Sequence, residues 1–194
     1  DLYIPDAELK SLNKKLLKSE DDDKRAIDFS VNRLRRVFNN GKWDEGGRFY
    51  NGWWQNIPKE YRRDIRIVDK RTIEIDFKCM HPAMLYAKCT GTVYTEDAYE
   101  ISGVDRDLSK KIFNILLNSK SENTAISAVA SELQNIGKGH DKKLAAEITT
   151  KMHDKHPKIK HLFMTSYGVK LQFLDSQIAE YIMLNYSEHR SPIL

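Results

Sequence analysis

The chain has 194 residues, of which 40% are hydrophobic and 31% are charged, and its formal net charge is +4. This balance is typical of a globular protein and argues against a disordered chain, and no apolar run reaches the roughly 18 residues needed to span a bilayer. Cys79 and Cys89 have no partners at metal-binding spacing, so we expect reduced thiols and a cytoplasmic location rather than a disulfide scaffold or a cysteine zinc site.

The first forty residues are predicted to form two helices. In residues 7–18, leucines recur at helical spacing, and Asp6 is a plausible N-cap. In residues 22–38, four apolar side chains fall on one helical stripe, and the pattern stops at Asn39-Asn40-Gly41. The stripe consists of Ile27, Val31, Leu34 and Phe38.

The next segment is predicted to contain the strands. Residues 41–58 are rich in glycine, asparagine and aromatic residues, which indicates an irregular loop with short strand pieces. Residues 66–68 and 72–77 alternate and are rich in β-branched residues, so we predict a hairpin that turns at Asp69-Lys70. A short helix over residues 82–89 follows.

The remaining sequence is predominantly helical in pattern. Predicted helices cover residues 105–118, 122–136, 141–154 and 170–186. A small antiparallel sheet combined with many helices predicts the α+β class.

Positive charge is concentrated between Arg33 and Arg71. That segment has eleven basic and five acidic residues, and Phe49, Tyr50, Trp53 and Trp54 are interleaved with them. Cations interleaved with planar side chains suit a nucleic-acid surface, because the cations bind phosphates and the planar groups pack on sugars and bases. A solvated face with a few core aromatics is the structural alternative.

Three further features have a chemical and a structural interpretation. Asp76 closes the second predicted strand, where its carboxylate could bind Mg²⁺ or simply cap the next helix. Arg106 and Lys110 lie one helical turn apart, so both could reach one polyanion such as a triphosphate, or both could belong to a solvated face. His153 and His156 could share a zinc ion, although no third ligand stands out.

The motifs favour the chemical interpretations because they resemble those of one enzyme family. Gly47–Pro58 (GRFYNGWWQNIP) resembles the stretch before the first catalytic motif of family A, polymerase I-like DNA polymerases, and Gln55–Pro58 matches its Q-N-I-P tetrapeptide. Ile73–Phe77 resembles motif A of that family, and Asp105–Lys111 resembles motif B, R-x-x-x-K. Gly168–Gln172 resembles the palm segment that precedes motif C, and the type is that of phages or mobile elements.

This resemblance implies a polymerase palm and fingers. Residues 1–40 would be a helical lead-in from the thumb, residues 41–104 a palm segment with motif A, and residues 105–165 fingers-like helices with motif B. Residues 166–194 would return to the palm and end before motif C. We therefore expect that the protein continues beyond Leu194, that the second catalytic Asp lies there, and that this chain alone is nearly inactive.

The resemblance also assigns roles to individual residues in adding dNTPs to a primer 3′ end. Asp76 would hold two catalytic Mg²⁺ ions, with the carbonyl of Phe77 as a further ligand. Arg106 and Lys110 would bind the triphosphate of the dNTP. The positions implied to contact primer–template DNA are Arg48, Gln55, Asn56 and Asn118.

Several positions depart from the family pattern. His81 replaces a Glu that screens the sugar 2′ position, and Asn114 replaces an aromatic residue that packs on the base, for which Phe113 could substitute. Asn118-Ser119 replaces a Tyr-Gly pair. These departures leave two other hypotheses open: a non-catalytic nucleic-acid-binding module on a palm scaffold, and a structural helical domain with a chance motif match.

Overall fold

The computed structural model describes residues 2–16 and 27–188, and the fold of these residues is α+β. The strands are β1 (Leu2–Tyr3), β2 (Arg35–Phe38), β3 (Gly46–Tyr50), β4 (Arg66–Ile67) and β5 (Lys70–Arg71). The helices are α1 (Asp6–Leu16), α2 (Lys59–Arg62), α3 (Met80–Thr90), α4 (Arg106–Asn118), α5 (Glu122–Asn135), α6 (Lys142–Lys155) and α7 (Gly168–Glu188). Single turns of 3₁₀-helix cover Trp53–Gln55 and Lys160–Leu162.

The chain divides into two compact units. Unit 1 consists of Asp1–Phe38, Gly47–Phe77 and Ser176–Leu194, and unit 2 consists of Asn39–Gly46 and Lys78–Asp175. The predicted division into lead-in, palm, fingers and return segments assigns polymerase subdomains, whereas the two units are defined by their compactness. The units therefore do not test the predicted division, which stays a prediction.

Unit 1 combines small sheets with a separate apolar core. β4 pairs antiparallel with both β1 and β5, while β2 and β3 form a second, two-stranded sheet. Leu12 and Leu16 lie one turn apart on α1, and both are buried, as the leucine spacing predicts. The buried apolar residues of this core are Ile4, Leu12, Leu16, Trp53, Ile57 and Ile65.

The predicted helix over residues 22–38 is wrong where the structure describes it. Residues 22–26 lie outside the described residues, 27–34 are irregular, and 35–38 form β2. The extended backbone of β2 places the Arg36 guanidinium carbon 5.0 Å from the ring centre of Phe38 and 5.2 Å from that of Phe49. Phe49 belongs to the neighbouring strand β3, so the local helical spacing could not reveal its contact with Arg36.

Arg36 also connects its strand to α7. Its Nε donates a hydrogen bond to the Gly47 carbonyl at 2.8 Å, and its Nη2 donates to Ser176 Oγ at 2.8 Å. Its Nη1 pairs with Glu180 Oε2 at 3.1 Å. Arg36 is therefore a structural arginine, although the sequence counts it with the basic segment.

Gly47 fits this cluster only because it has no side chain. Its φ is +77°, and a Cβ there would lie 3.0 Å from Phe38 Cε1 and 3.1 Å from both Arg36 Nη2 and Ser176 Oγ. Gly41 has a similar φ of +66° but nothing within 4 Å of an added Cβ. Gly47 thus faces both a backbone constraint and a steric one, and Gly41 faces only the first.

We expect Gly47→Ala to destabilise the protein more than Gly41→Ala. Gly41→Ala should cost about 1–2 kcal/mol, the penalty of a left-handed backbone for an L-residue. Gly47→Ala should exceed that by about 1–3 kcal/mol, because overpacking adds to it. Chemical denaturation of both variants measures the difference in free energy of unfolding, and equal losses would show that the Arg36 cluster can relax around a methyl group.

The predicted hairpin forms, but one residue earlier and much shorter. Val68 and Asp69, with φ of 50° and 62°, make the turn, and β5 ends at Arg71. The predicted strand over residues 72–77 is wrong: this segment has no regular structure, and Ile73 and Ile75 are 85% and 84% exposed. The alternation suits a strand, but among the described residues no neighbouring strand pairs with it.

Unit 2 is helical, and here the sequence pattern places the helices well. α3 to α7 correspond to the predicted segments with ends that differ by at most two residues, and residues 176–188 of α7 belong to unit 1. Side chains of Asp105, Ser121 and Asp141 accept hydrogen bonds from backbone N–H groups at the starts of α4, α5 and α6. Because such caps satisfy otherwise unpaired donors, they fix the first residue of each helix.

His156 lies fully buried in the core of unit 2. Its Nε2 is 2.8 Å from the Ala98 carbonyl and its Nδ1 is 3.0 Å from the Tyr86 hydroxyl. Because a carbonyl can only accept, Nε2 carries the proton and Nδ1 accepts from Tyr86. The rings of Phe113 and Phe163 pack against the imidazole at 5.4 and 6.4 Å between centres. Both ring nitrogens are thus used within the core.

Candidate functional site

The motif B positions lie on the first turns of α4. The Asp105 side chain accepts hydrogen bonds from the backbone N–H groups of Asp107 and Leu108 at 3.0 and 3.1 Å, which starts the helix there. Arg106 is the first helical residue and Lys110 follows one turn later, and both are exposed. The two cations therefore share one accessible side of the helix, as the spacing predicts.

Arg106 is held in one orientation by Asp97, a residue that the sequence analysis did not single out. Arg106 Nε donates to Asp97 Oδ2 at 2.7 Å, and its Nη2 donates to Asp97 Oδ1 at 3.3 Å. The backbone N–H of Tyr99 also donates to Asp97 Oδ1, at 3.0 Å, and the guanidinium carbon lies 5.5 Å from the centre of the Tyr99 ring. A carboxylate nine residues before the arginine is too common a pattern to be recognised without the structure.

The charges of this group follow from its contacts. The hydrogen bond from Arg106 lowers the pKa of the Asp97 carboxyl, and the same bond raises the pKa of Arg106. Burial raises the pKa of the Tyr99 hydroxyl to about 12. Near neutral pH the Asp97–Arg106 pair is thus a carboxylate beside a guanidinium, and Asp97 offsets the unfavourable placement of a cation at a helix N-terminus.

Lys110 differs from its neighbours in having no partner among the residues that the structure describes. Lys111, the adjacent cation, pairs with Glu132 at 3.0 Å. Arg106 pairs with Asp97 at 2.7 Å. Lys110 is therefore a cation of this side of α4 whose ammonium has no ion-pair partner among the described residues.

Two further side chains of the motif B helix differ in exposure: Asn118 is exposed and Phe113 is buried. Asn118 Nδ2 donates to the Asn114 carbonyl at 2.8 Å, and its amide lies so close to Gly168 that a Cβ there would clash. Phe113 is fully buried, with the rings of Tyr99 and Phe163 at 5.6 and 5.3 Å. The suggestion that Phe113 packs on a nucleotide base is therefore wrong, because its ring is enclosed by the core.

His81 lies in the first turn of α3 in unit 2 and is half-buried. The αL conformation of Cys79, with φ of 53°, precedes that helix. His81 makes an interaction within the protein, so its imidazole is partly committed. Its predicted role at the sugar remains a prediction.

Asp76 and Phe77 lie on the exposed segment that follows β5 in unit 1. Both residues are exposed and neither belongs to a strand. The prediction that Asp76 closes a core strand is wrong, because residues 72–77 lack strand pairing and point their isoleucines to solvent. The carboxylate is accessible, but regular structure does not fix its position.

The described residues contain no preassembled group of metal ligands around Asp76. No three His, Cys, Asp or Glu side chains lie together as a metal site within residues 2–16 and 27–188. Mg²⁺ is usually bound through one or two carboxylates together with waters and substrate phosphates, and Asp76 would supply one of these carboxylates. The expectation that Asp76 and Phe77 hold two Mg²⁺ ions stays a prediction.

The Q-N-I-P tetrapeptide has a structural role in unit 1. Gln55 Nε2 donates to the Phe49 carbonyl at 3.0 Å, while its Oε1 accepts from the backbone N–H of Gly52 at 3.3 Å. Ile57 is 2% exposed in the unit 1 core. Gln55 thus joins a 3₁₀ turn to β3, and both Gln55 and Asn56 are exposed.

The basic segment is less available to a ligand than its composition indicates. Arg36 is anchored as described, Lys42 pairs with Glu45, and Arg62 pairs with Glu74, the last two at 2.8 Å. Arg48 is half-buried and makes contacts within the protein. The exposed cations of this segment that form no ion pair among the described residues are Arg33, Arg35, Lys59, Arg63, Lys70 and Arg71.

The chain matches no protein-family model, no curated protein and no solved structure. Across the described residues, no helix combines the length and the apolar character that crossing a membrane demands. The likeness to family A polymerases therefore rests on the motifs of the sequence and on the accessibility of the residues in them.

Proposed function

We propose that this chain binds a deoxynucleoside triphosphate and primer–template DNA as the palm-and-fingers portion of a family A-like DNA polymerase. The observation that carries the proposal is the exposed Arg106–Lys110 pair on α4, at the two positions of the R-x-x-x-K motif. The order of GRFYNGWWQNIP, Asp76 and this pair along the chain supports it.

The two cations suit different parts of a triphosphate. Lys110 offers a mobile point charge, and Arg106 offers a planar fork that is already oriented by Asp97. Because Asp97 accepts from Nε and from one N–H of Nη2, both N–H groups of Nη1 and the second N–H of Nη2 remain for phosphate oxygens. A preoriented guanidinium loses little side-chain freedom when the nucleotide binds.

Lys110→Ala is expected to weaken dNTP binding by about 10- to 100-fold, the range that corresponds to losing one charged hydrogen bond. Arg106→Ala should weaken binding as well, and the double variant more than either. Fluorescence anisotropy with a dye-labelled dNTP measures the dissociation constants.

Lys111→Ala is the matched control, because it removes a neighbouring cation that pairs with Glu132. We expect this control to keep the wild-type affinity for dNTP. If Lys110→Ala binds as tightly as wild type, or if the control loses as much, α4 is not the triphosphate site.

A non-catalytic DNA-binding module is the second candidate. It is favoured by the irregular segment around Asp76 and by the altered motif B positions Asn114 and Asn118. The two candidates differ in one measurement. A polymerase palm and fingers binds dNTP through Lys110, whereas the module binds DNA but not dNTP.

A further inference from the structure

The strand β5 lies at one edge of its sheet. The strand order is β1-β4-β5, so β4 occupies one side of β5, and within residues 2–16 and 27–188 no strand pairs with the other side. The pairing with β4 continues just beyond β5, where the N–H of Thr72 donates to the Ile65 carbonyl at 3.4 Å. Backbone groups alternate in direction along a strand. Those of Arg71 therefore point toward the open edge, and those of Ile73 do so where the chain continues extended.

The segment after β5 exposes apolar side chains at every second position. Ile73 and Ile75 are almost entirely exposed, as described above, and Phe77 is 56% exposed. In a strand this spacing would place all three on one face. An open sheet edge that continues into exposed apolar side chains is a template for pairing with another strand. The segment therefore offers both main-chain groups and side chains to a further strand.

The charges along this edge divide into a basic half and an acidic half. Lys70 and Arg71 come first, Glu74 and Asp76 follow, and all four are exposed. Glu74 pairs with Arg62, and the other three form no ion pair in the part of the chain that the structure describes. Two copies of the segment that meet antiparallel would bring the basic half of each against the acidic half of the other. The strand that fits this edge by charge is therefore the same strand of a second copy.

One antiparallel register satisfies the main chain and the side chains together. In that register a two-fold axis passes between Ile73 and Ile73 of the second copy. Arg71 then lies opposite Ile75, and Lys70 lies opposite Asp76. The outward-pointing backbone groups of residues 71, 73 and 75 form the hydrogen-bonded pairs. The axis repeats each contact, so the pairing contains two lysine–aspartate pairs.

Neighbouring registers lose these contacts. An axis at Glu74 would place that carboxylate opposite itself, and an axis at Ile75 would place Glu74 opposite Asp76. Like charges directly opposite each other destabilise a pair of strands. An axis at Thr72 would leave Ile75 opposite the Asp69 turn. The register centred on Ile73 is therefore the favourable one.

We propose that residues 70–76 form an antiparallel strand pair with the same residues of a second copy of this chain. The result is a two-fold symmetric dimer across the open edge of β5. This inference goes beyond the proposed function and does not depend on it. Because the paired strands are short, the interface is small, and the dimer exchanges with the monomer. The dimer engages Asp76, so any part that Asp76 plays in catalysis belongs to the monomer.

Sedimentation velocity of the full chain over a series of protein concentrations tests the dimer. Wild type should change from monomer to dimer along the series, and hydrogen exchange at the amides of Arg71, Ile73 and Ile75 should slow as the dimer forms. Ile73→Lys should abolish the dimer, because it places two ammonium groups opposite each other on the axis. The side chain is exposed in the monomer, so the variant should keep the wild-type circular dichroism spectrum.

A charge swap tests the register. Lys70→Glu should raise the dimer dissociation constant by about 5- to 30-fold, because it replaces two opposite-charge pairs with like-charge pairs. Adding Asp76→Lys reverses both members of each pair, and the double variant should recover most of the lost affinity. Lys59→Glu makes the same charge change at an exposed site on α2, so this control should dimerise as wild type does.

The outcomes are independent of the dNTP and DNA measurements. A wild-type chain that stays monomeric throughout the series would overturn the inference and leave the proposed function standing. A dimer that survives Ile73→Lys would also overturn it, since another surface would then hold the two copies together. A double variant that dimerises no better than Lys70→Glu would reject the register. Oligomers that grow beyond two copies would reject the closed two-fold pair.

Discussion

Asp76→Asn is expected to reduce primer extension by the full-length protein by about 10²–10³-fold, the usual effect of removing one charged group from an active site. The substitution should leave stability within about 0.5 kcal/mol, because Asp76 is exposed and lies outside every helix and strand. Affinity for primer–template DNA should stay within about twofold, since the change is nearly isosteric. Gel-based extension and anisotropy measure the two effects separately.

Glu74→Gln is the matched control for Asp76. Glu74 lies two residues earlier on the same exposed segment and pairs with Arg62 at 2.8 Å. We expect this control to retain extension, because an exposed ion pair contributes little and the resemblance assigns Glu74 no role. Extension that survives Asp76→Asn would reject the motif A assignment and leave the DNA-binding module as the better account.

His156→Leu is expected to destabilise the protein by about 2–5 kcal/mol. Leucine fills a similar volume, but it leaves the Tyr86 hydroxyl and the Ala98 carbonyl without partners in the core, at about 1–3 kcal/mol each. Urea denaturation followed by helical circular dichroism measures the loss. His161→Leu, at an exposed position, is the control and should change stability by less than about 0.5 kcal/mol.

The same histidine makes stability depend on pH. Burial lowers the pKa of His156 and of His153 from 6.5, with Glu96 opposing the effect at His156 and Lys155 adding to it. Below pH 6.5 the unfolded chain therefore binds protons more readily than the folded one, and the free energy of unfolding falls as the pH decreases. Above pH 6.5 this contribution is constant.

His156→Leu should reduce the loss of stability between pH 7.5 and pH 5.5 as well as the stability itself. Carboxyls with a lowered pKa, such as Asp97 and Glu45, start from 3.8 and 4.5 and act at lower pH. These carboxyls therefore contribute little to the change in stability between pH 7.5 and pH 5.5. An unchanged pH dependence in the variant would mean that His156 is not the group that titrates.

Local signals predicted the helical part of the fold. Asp105 and Asp141 are caps that can be read from the sequence, and the spacing of Leu108, Ile112 and Leu116 identifies the buried stripe of α4. In these segments the hydrogen bonds and the apolar face both depend on residues a few positions apart. A single sequence contains all of that information.

Contacts between distant segments could not be predicted in the same way. Arg36 forms its strand contacts with Gly47 and Ser176, the latter 140 positions away, although its neighbourhood has helical spacing. Conversely, residues 72–77 have the pattern of a strand but lack a partner among the described residues. Secondary structure in both places depends on which surfaces meet, and not on local preference.

The exposed motif residues of the candidate site could be predicted from the sequence. The residues that hold them in place could not. Arg106 and Lys110 have the predicted spacing and exposure, but Asp97 and Tyr99, which orient Arg106, have no sequence signature. Phe113 looked available because it lies one position from the family's aromatic residue, yet the helix turns it into the core. One position along a helix changes direction by about 100°, which decides between core and surface.

The anchoring of Arg36 changes what ionic strength can reveal about DNA binding. Each phosphate that a protein neutralises releases condensed counterions, so the logarithm of affinity falls with the logarithm of salt concentration by about 0.9 per contact. Arg36, Lys42 and Arg62 already have anionic partners within the protein. The affinity for DNA could therefore depend only weakly on salt concentration, although a count of charges makes the basic segment strongly cationic.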